Sequence, residues 1–205
     1  MIIDYNDRAQ MNELAIKVSK LGGRVTAKIN GNYRGVTFRN FPTIETEDSD
    51  FTNCVFENTQ SVEFSNGRIS NCTFRNVSDV FGNYADFRYC TFVQCRSQGP
   101  LLTIDSDGSV NGCTFDTITA LGDDGYVIYS VYGKKKDVKD IKNCRFIDCK
   151  VESKDGLLTC GEYFTCFSSF KTRKIENIDV RSCDFDGNDR VLIGSIGAEI
   201  ERAND

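Results

Sequence analysis

Asn53-Cys54-Val55-Phe56 and Asn71-Cys72-Thr73-Phe74 are one four-residue phrase written twice, 18 residues apart. The core of the phrase recurs before them as Val36-Thr37-Phe38. It recurs after them as Cys90-Thr91-Phe92, Cys113-Thr114-Phe115, Cys144-Arg145-Phe146 and Cys183-Asp184-Phe185. The first three intervals are 18 residues each and the later ones are 23, 31 and 39. Repetition at such a period marks an array in which one supersecondary unit stacks on the next.

Other positions keep step with the phrase. Three residues before each copy stands Tyr33, Phe51, Ile69, Phe87, Val110, Ile141 or Val180. Directly before it stands a residue that tolerates a turn (Gly35, Asn53, Asn71, Gly112, Asn143, Ser182), Tyr89 being the outlier. Eight residues after the start of each short copy comes Ile44, Val62 or Val80. In longer copies the equivalents are Leu101–Ile104, Val127–Tyr129, Leu157–Cys160 and Val191–Ile193. Cys in, Thr or Val out, Phe in is the two-residue period of a strand. Three strands per copy, in one frame, make each copy a turn of a coil, with equivalent strands pairing in parallel about 4.8 Å apart.

The expected fold is therefore all-β: a single-domain right-handed parallel β-helix, residues 1–205, with about seven coils over residues 33–197. Right-handedness follows from the strong bias of parallel crossovers. Gln60 and Asn66 also interrupt the six-residue aliphatic period that a left-handed coil would show. An open solenoid end needs a cap. Residues 1–23 are expected to supply an N-terminal capping α-helix: Asp7 with Gln10 reads as a capping box, Met11, Leu14, Ala15, Val18 and Leu21 recur at helical spacing, and Gly22-Gly23 stops the run. Residues 198–205 are expected to form a short polar, helical tail or cap.

The Asn-Cys-x-Phe units at coil spacing resemble right-handed parallel β-helix repeat proteins of the pectin-lyase-like class. The resemblance covers about residues 33–197. It implies a fold that carries lyases, hydrolases, tail spikes, adhesins and plain binding proteins alike, so function must be argued from the site.

Composition narrows the chemistry. The chain has no histidine, which excludes Ser-His-Asp triads, Cys-His dyads and histidine metal sites within it. The net charge of −5 argues against wholesale nucleic-acid binding. No apolar run approaches the ~18 residues of a membrane span, and the opening Met1-Ile2-Ile3-Asp4 has no signal-peptide layout. The expectation is a cytoplasmic protein with no cofactor, no metal and no membrane contact. In that compartment the ten cysteines read as reduced core residues. Cys54, Cys72, Cys90, Cys113, Cys144 and Cys183 would form one internal stack, while the Cys90/Cys95, Cys144/Cys149 and Cys160/Cys166 gaps fit zinc knuckles poorly.

Function is sought where the coils lengthen. Insertions follow the first strand at Val93–Pro100, Asp116–Tyr126 and Asp148–Gly156, and the second strand at Gly133–Asp140 and Gly161–Asn177. Such corner loops on a rigid scaffold should stack into contiguous binding surfaces. The second-strand corner carries Lys134, Lys135, Lys136 and Lys139, with Lys142 next to them, and one coil later Lys171, Arg173 and Lys174. Tyr129, Tyr132, Tyr163, Phe164, Phe167 and Phe170 lie close by in sequence. Lys134, Lys135, Lys136, Lys139, Lys171, Arg173, Lys174, Tyr132 and Tyr163 are the candidate binding residues. Lysines among aromatics suit a protein partner, or a phosphate-bearing or acidic ligand. The competing reading is a solvated charged corner.

The same corner in earlier coils carries Glu45, Glu47, Asp48, Asp50, Glu63, Asp79, Asp86, Asp105 and Asp107. These would make an acidic edge, either solubilising or complementary to a basic cleft. The expected function is a non-catalytic binding protein, of the kind a virus or mobile element uses as an inhibitor or decoy. The C-terminal end is a candidate homodimer contact. The alternative is a polysaccharide lyase or glycoside hydrolase, which the resemblance brings with it. Asp105, Asp107, Asp116, Asp123, Asp124, Lys150 and Lys154 would be its candidate groups.

Overall fold

The computed structural model describes residues 1–105, 108–131, 141–152, 158–161, 175–176, 178–181, 183, 192–193 and 198–199. In it, equivalent residues of successive copies lie beside one another, and the chain is a parallel β-helix. On the first face, Ile3, Phe38, Phe56, Phe74, Phe92, Phe115, Phe146 and Val180 occupy successive rungs in parallel register. The second face aligns Ala27, Ile44, Val62, Val80, Leu102, Ile128, Leu158 and Ile193. The third aligns Tyr33, Phe51, Ile69, Phe87, Val110, Ile141 and Ile175. In the second and third copies the chain runs through the corners as unbroken strands, Val55–Ser70 and Thr73–Arg88.

Corners form where a residue accepts a left-handed backbone. Gly35, Asn53, Asn71, Tyr89, Gly112 and Asn143 turn the chain into the first face with φ between 53° and 68°. Asn40, Asn58, Asn76, Gln94, Thr117 and Asp148 turn it out again with φ between 49° and 63°. Asparagine tolerates this region better than most residues and adds a side-chain amide that can bond its counterpart on the next rung. Asn76 Nδ2 donates to Asn58 Oδ1 at 2.9 Å. Tyr89 departs from the rule, and its ring lies over the next corner. There a Cβ on Gly112 would come within 2.5 Å of Tyr89 Cδ1, so that corner needs glycine.

Inside, rung spacing sets ring spacing. Phe38, Phe56, Phe74, Phe92, Phe115 and Phe146 are fully buried and stack with centroids 4.6–5.2 Å apart and planes within 15°. Next to them runs the column Val36, Cys54, Cys72, Cys90, Cys113 and Cys144. Each thiol from Cys72 onward donates to a carbonyl of the previous rung: Phe51, Ile69, Phe87 and Val110, at 3.3–4.0 Å. A small apolar side chain that also carries a weak donor suits this column better than alanine would.

Burial pushes the Cys95 thiol up to about 11 and the Cys144 thiol up to about 12. An unfolded thiol ionises near 9.0. Below pH 9 both states keep the proton. Above it the unfolded chain releases protons that the folded chain retains, so stability falls as pH rises towards 11–12. The expected slope is about 1.4 kcal/mol per pH unit for each such thiol inside that window. Urea midpoints at stepped pH should show this fall, and the double variant Cys95→Val with Cys144→Val should make it shallower, while Cys54, Cys90 and Cys149, whose thiols are also pushed up, keep the remainder. Equal slopes in both proteins would assign the fall to other groups.

Four expectations are corrected. First, the last copy is set five residues earlier than the Cys183-Asp184-Phe185 phrase implies. Phe146 pairs with Val180 and Ile141 with Ile175, while Cys183 lies under Cys149, whose N–H points at its Sγ at 3.4 Å. Cysteine occupies two inward columns, Cys54–Cys144 and Cys95–Cys149–Cys183, so its identity alone does not fix the frame. Phe185 lies outside the described residues.

Second, the N-terminal segment is only partly helical. Residues Ile2–Asp4 form a strand that pairs with Thr37–Arg39, and the helix is confined to Arg8–Glu13. Asp7 caps it by accepting the Gln10 N–H at 3.0 Å, but the Gln10 side chain reaches back to the Asp4 N–H instead of closing a box. Lys17–Leu21 and Arg24–Lys28 form an antiparallel hairpin. Gly22-Gly23, with φ of 56° and 86°, is its two-residue turn and not a helix stop. The alternation in Lys17-Val18-Ser19-Lys20 prevails because Arg24–Lys28 must continue the second face beneath Ile44.

Third, the insertions after the first strand each carry a short strand and are not loop throughout. Arg96–Gln98, Thr119–Leu121 and Lys150–Val151 pair in parallel as a fourth face, burying Ser97, Ala120 and Val151. Fourth, Ala198–Glu199 is a strand antiparallel to Leu192–Ile193, not helix.

Candidate functional site

Alternation on the second face sends Ile44, Val62, Val80, Leu102 and Ile128 inward and leaves their neighbours on the outside. Lys28, Glu45, Glu63, Phe81, Thr103 and Tyr129 consequently form one outward row in register. Thr43, Ser61 and Asp79 form a second row beside it, and Glu47, Ser65, Asn83 and Asp105 a third.

Two features wall this face. The hairpin turn brings up Gly23 and Arg24 at one end. The fourth face begins abruptly at Arg96–Pro100, so the wide fourth coil overhangs the narrow coils that turn at Pro42, Gln60 and Ser78. Between the walls lies a hollow of about 870 Å³ floored by Ser61, Glu63, Asp79 and Thr103. Pro100 and Thr103 join it to a second hollow of about 590 Å³, lined also by Phe81, Asp105, Asp124, Tyr126 and Tyr129. Glu63 joins it to a third of about 260 Å³, which contains Lys28, Glu45 and Glu47. The three make one groove along the second face.

The described lining is acidic: Glu45, Glu47, Glu63, Asp79, Asp105 and Asp124 against Lys28, Arg24 and Arg96. Arg24 pairs with Glu63. Ser61 Oγ donates to Asp79 at 2.9 Å. Burial nevertheless pushes the Asp79 carboxyl above its ordinary range, with Ser61 and Arg24 pulling the other way. At the second hollow, Tyr126 is buried at 7% exposure and its ring stacks on Tyr129 with centroids 5.9 Å apart. Such a surface can attract cations, accept hydrogen bonds and stack on planar groups.

Lys134, Lys135, Lys136, Lys139, Lys171, Arg173, Lys174, Tyr132 and Tyr163 all lie outside the described residues, as do Phe164, Phe167, Phe170, Asp107 and Lys154. Lys142 is in the third-face strand Ile141–Lys142, and Tyr129 is in the groove. The acidic edge divides. Glu45, Glu47, Glu63, Asp79 and Asp105 line the groove. Asp48 and Asp50 tie corners, accepting from Asn66 Nδ2 at 2.5 Å and from the Arg68 N–H at 2.8 Å. Asp86 is buried and accepts from Ser109 Oγ at 2.7 Å.

Of the catalytic candidates, Asp105 and Asp124 share a hollow. Asp116 is on the first face and Lys150 on the fourth, so these two are not brought to it. No group of three or more Cys, Asp or Glu among the described residues is arranged to hold a metal ion. No helix among them is long and apolar enough to cross a membrane.

Arg24, Arg96, Phe81 and Tyr126 were not singled out from sequence. Phe81 carried a signal, a large aromatic in an outward slot between inward Val80 and Gly82.

No family model matches the chain, and no curated protein matches it. Among solved structures it is similar to QnrB1, a plasmid-mediated fluoroquinolone resistance protein, at 11% identity over 80% of this chain and 86% of that one, with a TM-score of 0.19. An overlap that slight bears on neither fold nor function, and the β-helix rests on the strand register.

Proposed function

We propose that this right-handed β-helix is a non-catalytic binding protein that holds an extended, cationic segment of a protein partner along its second face. The observation that carries the reading is the continuous acidic groove on a face whose backbone is fixed by parallel pairing on every described rung. From Lys28 to Tyr129 the outward row occupies six rungs, five steps from end to end. That is about 24 Å, the reach of about seven extended residues. The lysine and arginine cluster from Lys134 to Lys174 is proposed as a second contact, for an acidic part of the same partner. An inhibitor or decoy supplied by a virus or mobile element would act through surfaces of this kind. A lyase or hydrolase for acidic polysaccharides is disfavoured, because the lining would repel a polyanion.

The test is fluorescence anisotropy with a labelled peptide, Lys-Gly-Lys-Gly-Lys-Gly-Lys. It should bind at about 50 mM salt, weaken at about 300 mM, and not be displaced by polygalacturonate. The double reversal Glu45→Lys with Glu47→Lys, at positions that need not rearrange the core, should weaken it about tenfold, roughly 1.4 kcal/mol. Absence of binding, or binding indifferent to the reversal, would overturn the proposal.

A further inference from the structure

We infer that the edge of the fourth face that looks towards the N-terminal coils, the strand Arg96–Gln98, receives part of the partner's cationic segment as an added strand. The inference rests on the reading that the groove holds such a segment, and it names the backbone contact that fixes one end of it.

The second and third copies cross from Phe56 to Val62 and from Phe74 to Val80, and the fourth spends four more residues on the same passage, from Phe92 to Leu102. Within that extra length Arg96, Ser97 and Gln98 pair upwards with Thr119, Ala120 and Leu121. Downwards, no strand among the described residues pairs with them, because the three-stranded sheet ends there. The hollow of about 870 Å³ lies directly beneath. It is the space that a fourth face would occupy if the narrow coils had one.

The bonds made above fix what points below. The Thr119 N–H donates to the Cys95 carbonyl and the Gly99 N–H to the Leu121 carbonyl, both at 3.0 Å. Residues 95, 97 and 99 thus aim their backbone groups at the next rung. By alternation the Arg96 carbonyl and the Gln98 N–H and carbonyl aim down into the hollow. An edge of this kind takes up an extended chain through main-chain bonds, and alternate side chains then set the selectivity.

A strand one rung below would place one side chain under buried Ser97, facing the floor made by Ser61 and Asp79. A lysine suits that polar, acidic slot. The residues on either side of it would face solvent beneath exposed Arg96 and Gln98, where a second cation would meet the Arg96 charge. The fitting pattern therefore alternates, cation inward and neutral residue outward. About three residues, roughly 10 Å of chain, run beneath the edge, and the remainder turns down the groove.

The test uses two methylated forms of the lysine–glycine heptapeptide, both with its charge. In one, sarcosine replaces each glycine. In the other, the backbone nitrogens of the second, third and fourth lysines are methylated. On a strand edge these two sets of amides point opposite ways. One form should lose about tenfold in affinity and the other stay within about twofold of the parent. The lysine set suffers if the added strand is parallel, the glycine set if it is antiparallel. Gln98→Pro removes the downward N–H at an edge, where proline is tolerated, and should weaken the parent peptide about tenfold, with a circular dichroism melt reporting that the variant is folded. In wild-type protein, hydrogen exchange at the Gln98 N–H should slow at least about tenfold with saturating peptide. Exchange at Gly99, already bonded to Leu121, should change by less than about twofold. Equal affinities for the parent and both methylated forms, or unaltered exchange at Gln98, would overturn the added strand and leave the groove standing. Equal losses in the two methylated forms would overturn it too. A dimer in sedimentation equilibrium without peptide, dissociated by Gln98→Pro, would assign the edge to a second copy and overturn the partner strand. If the parent peptide does not bind, the groove reading falls, and the added strand with it.

Discussion

A chain lacking residues 62–79 should fold, and a chain lacking residues 62–80 should not. The first deletion removes one 18-residue period and joins Ser61 to Val80. Because Val62 and Val80 occupy the same column, Val80 takes the vacated slot above Ile44, Phe81 that above Glu45, and Phe87 that above Phe51. The first face closes up likewise, with Phe56 meeting Phe92, as Phe74 does in the intact chain. The second deletion is one residue longer. Phe81 then falls in the inward slot, Gly82 faces out, and Asn83 is driven into the position that Phe64 fills. A surplus residue can be absorbed as a bulge. A missing one cannot, because the junction lies mid-strand and the coil is left about 3.3 Å short of closure.

Circular dichroism melts separate the outcomes. The in-frame chain should show a single transition within about 10 °C of wild type, since each rung contacts only its neighbours. The other should show none, or fail to accumulate in soluble form. Similar melts for the two would mean that rung register does not govern folding.

Replacing Phe74 by alanine should cost about 3–5 kcal/mol. Its ring is fully buried between Phe56, at 5.0 Å, and Phe92, at 4.6 Å, each within 8° of parallel, with Phe64 edge-on at 6.1 Å. Removing it opens a void that the neighbouring rings cannot close, because each is held in place by its own rung. Against a total stability of about 5–15 kcal/mol, the variant would be marginal. Phe74→Leu, which keeps most of the volume, should cost less than half as much. Urea denaturation measures both. A loss under about 1.5 kcal/mol for the alanine variant would show that the stack collapses around the gap instead of preserving it.

The inward columns were legible because they are local statements. Cys54 and Phe56 point the same way in any extended chain, and Asn53 and Asn58 mark corners by the backbone they tolerate. Reading failed where identity stood in for position. Cys183 matched the phrase but belongs to the second cysteine column, and Ile178-Asp179-Val180 fill the slots of Cys-x-Phe without sharing its letters. It failed again at Met11, Leu14, Ala15, Val18 and Leu21, whose helical spacing is accidental beyond residue 13. Strand pairing beneath Ile44 outweighs a local preference worth only tenths of a kcal/mol per residue.

By itself, the order of residues determined the period, the parallel stacking, which side chains are inside, and the absence of histidine chemistry, since each depends on neighbours within one coil. The groove, its sign and its aromatic end were decided by tertiary structure alone. Arg24, Glu63, Asp79, Arg96 and Tyr129 come from five different rungs. The hollow between them exists because a fourth face makes one coil wider than the last, a difference in circumference that acquires shape only when the coils are stacked.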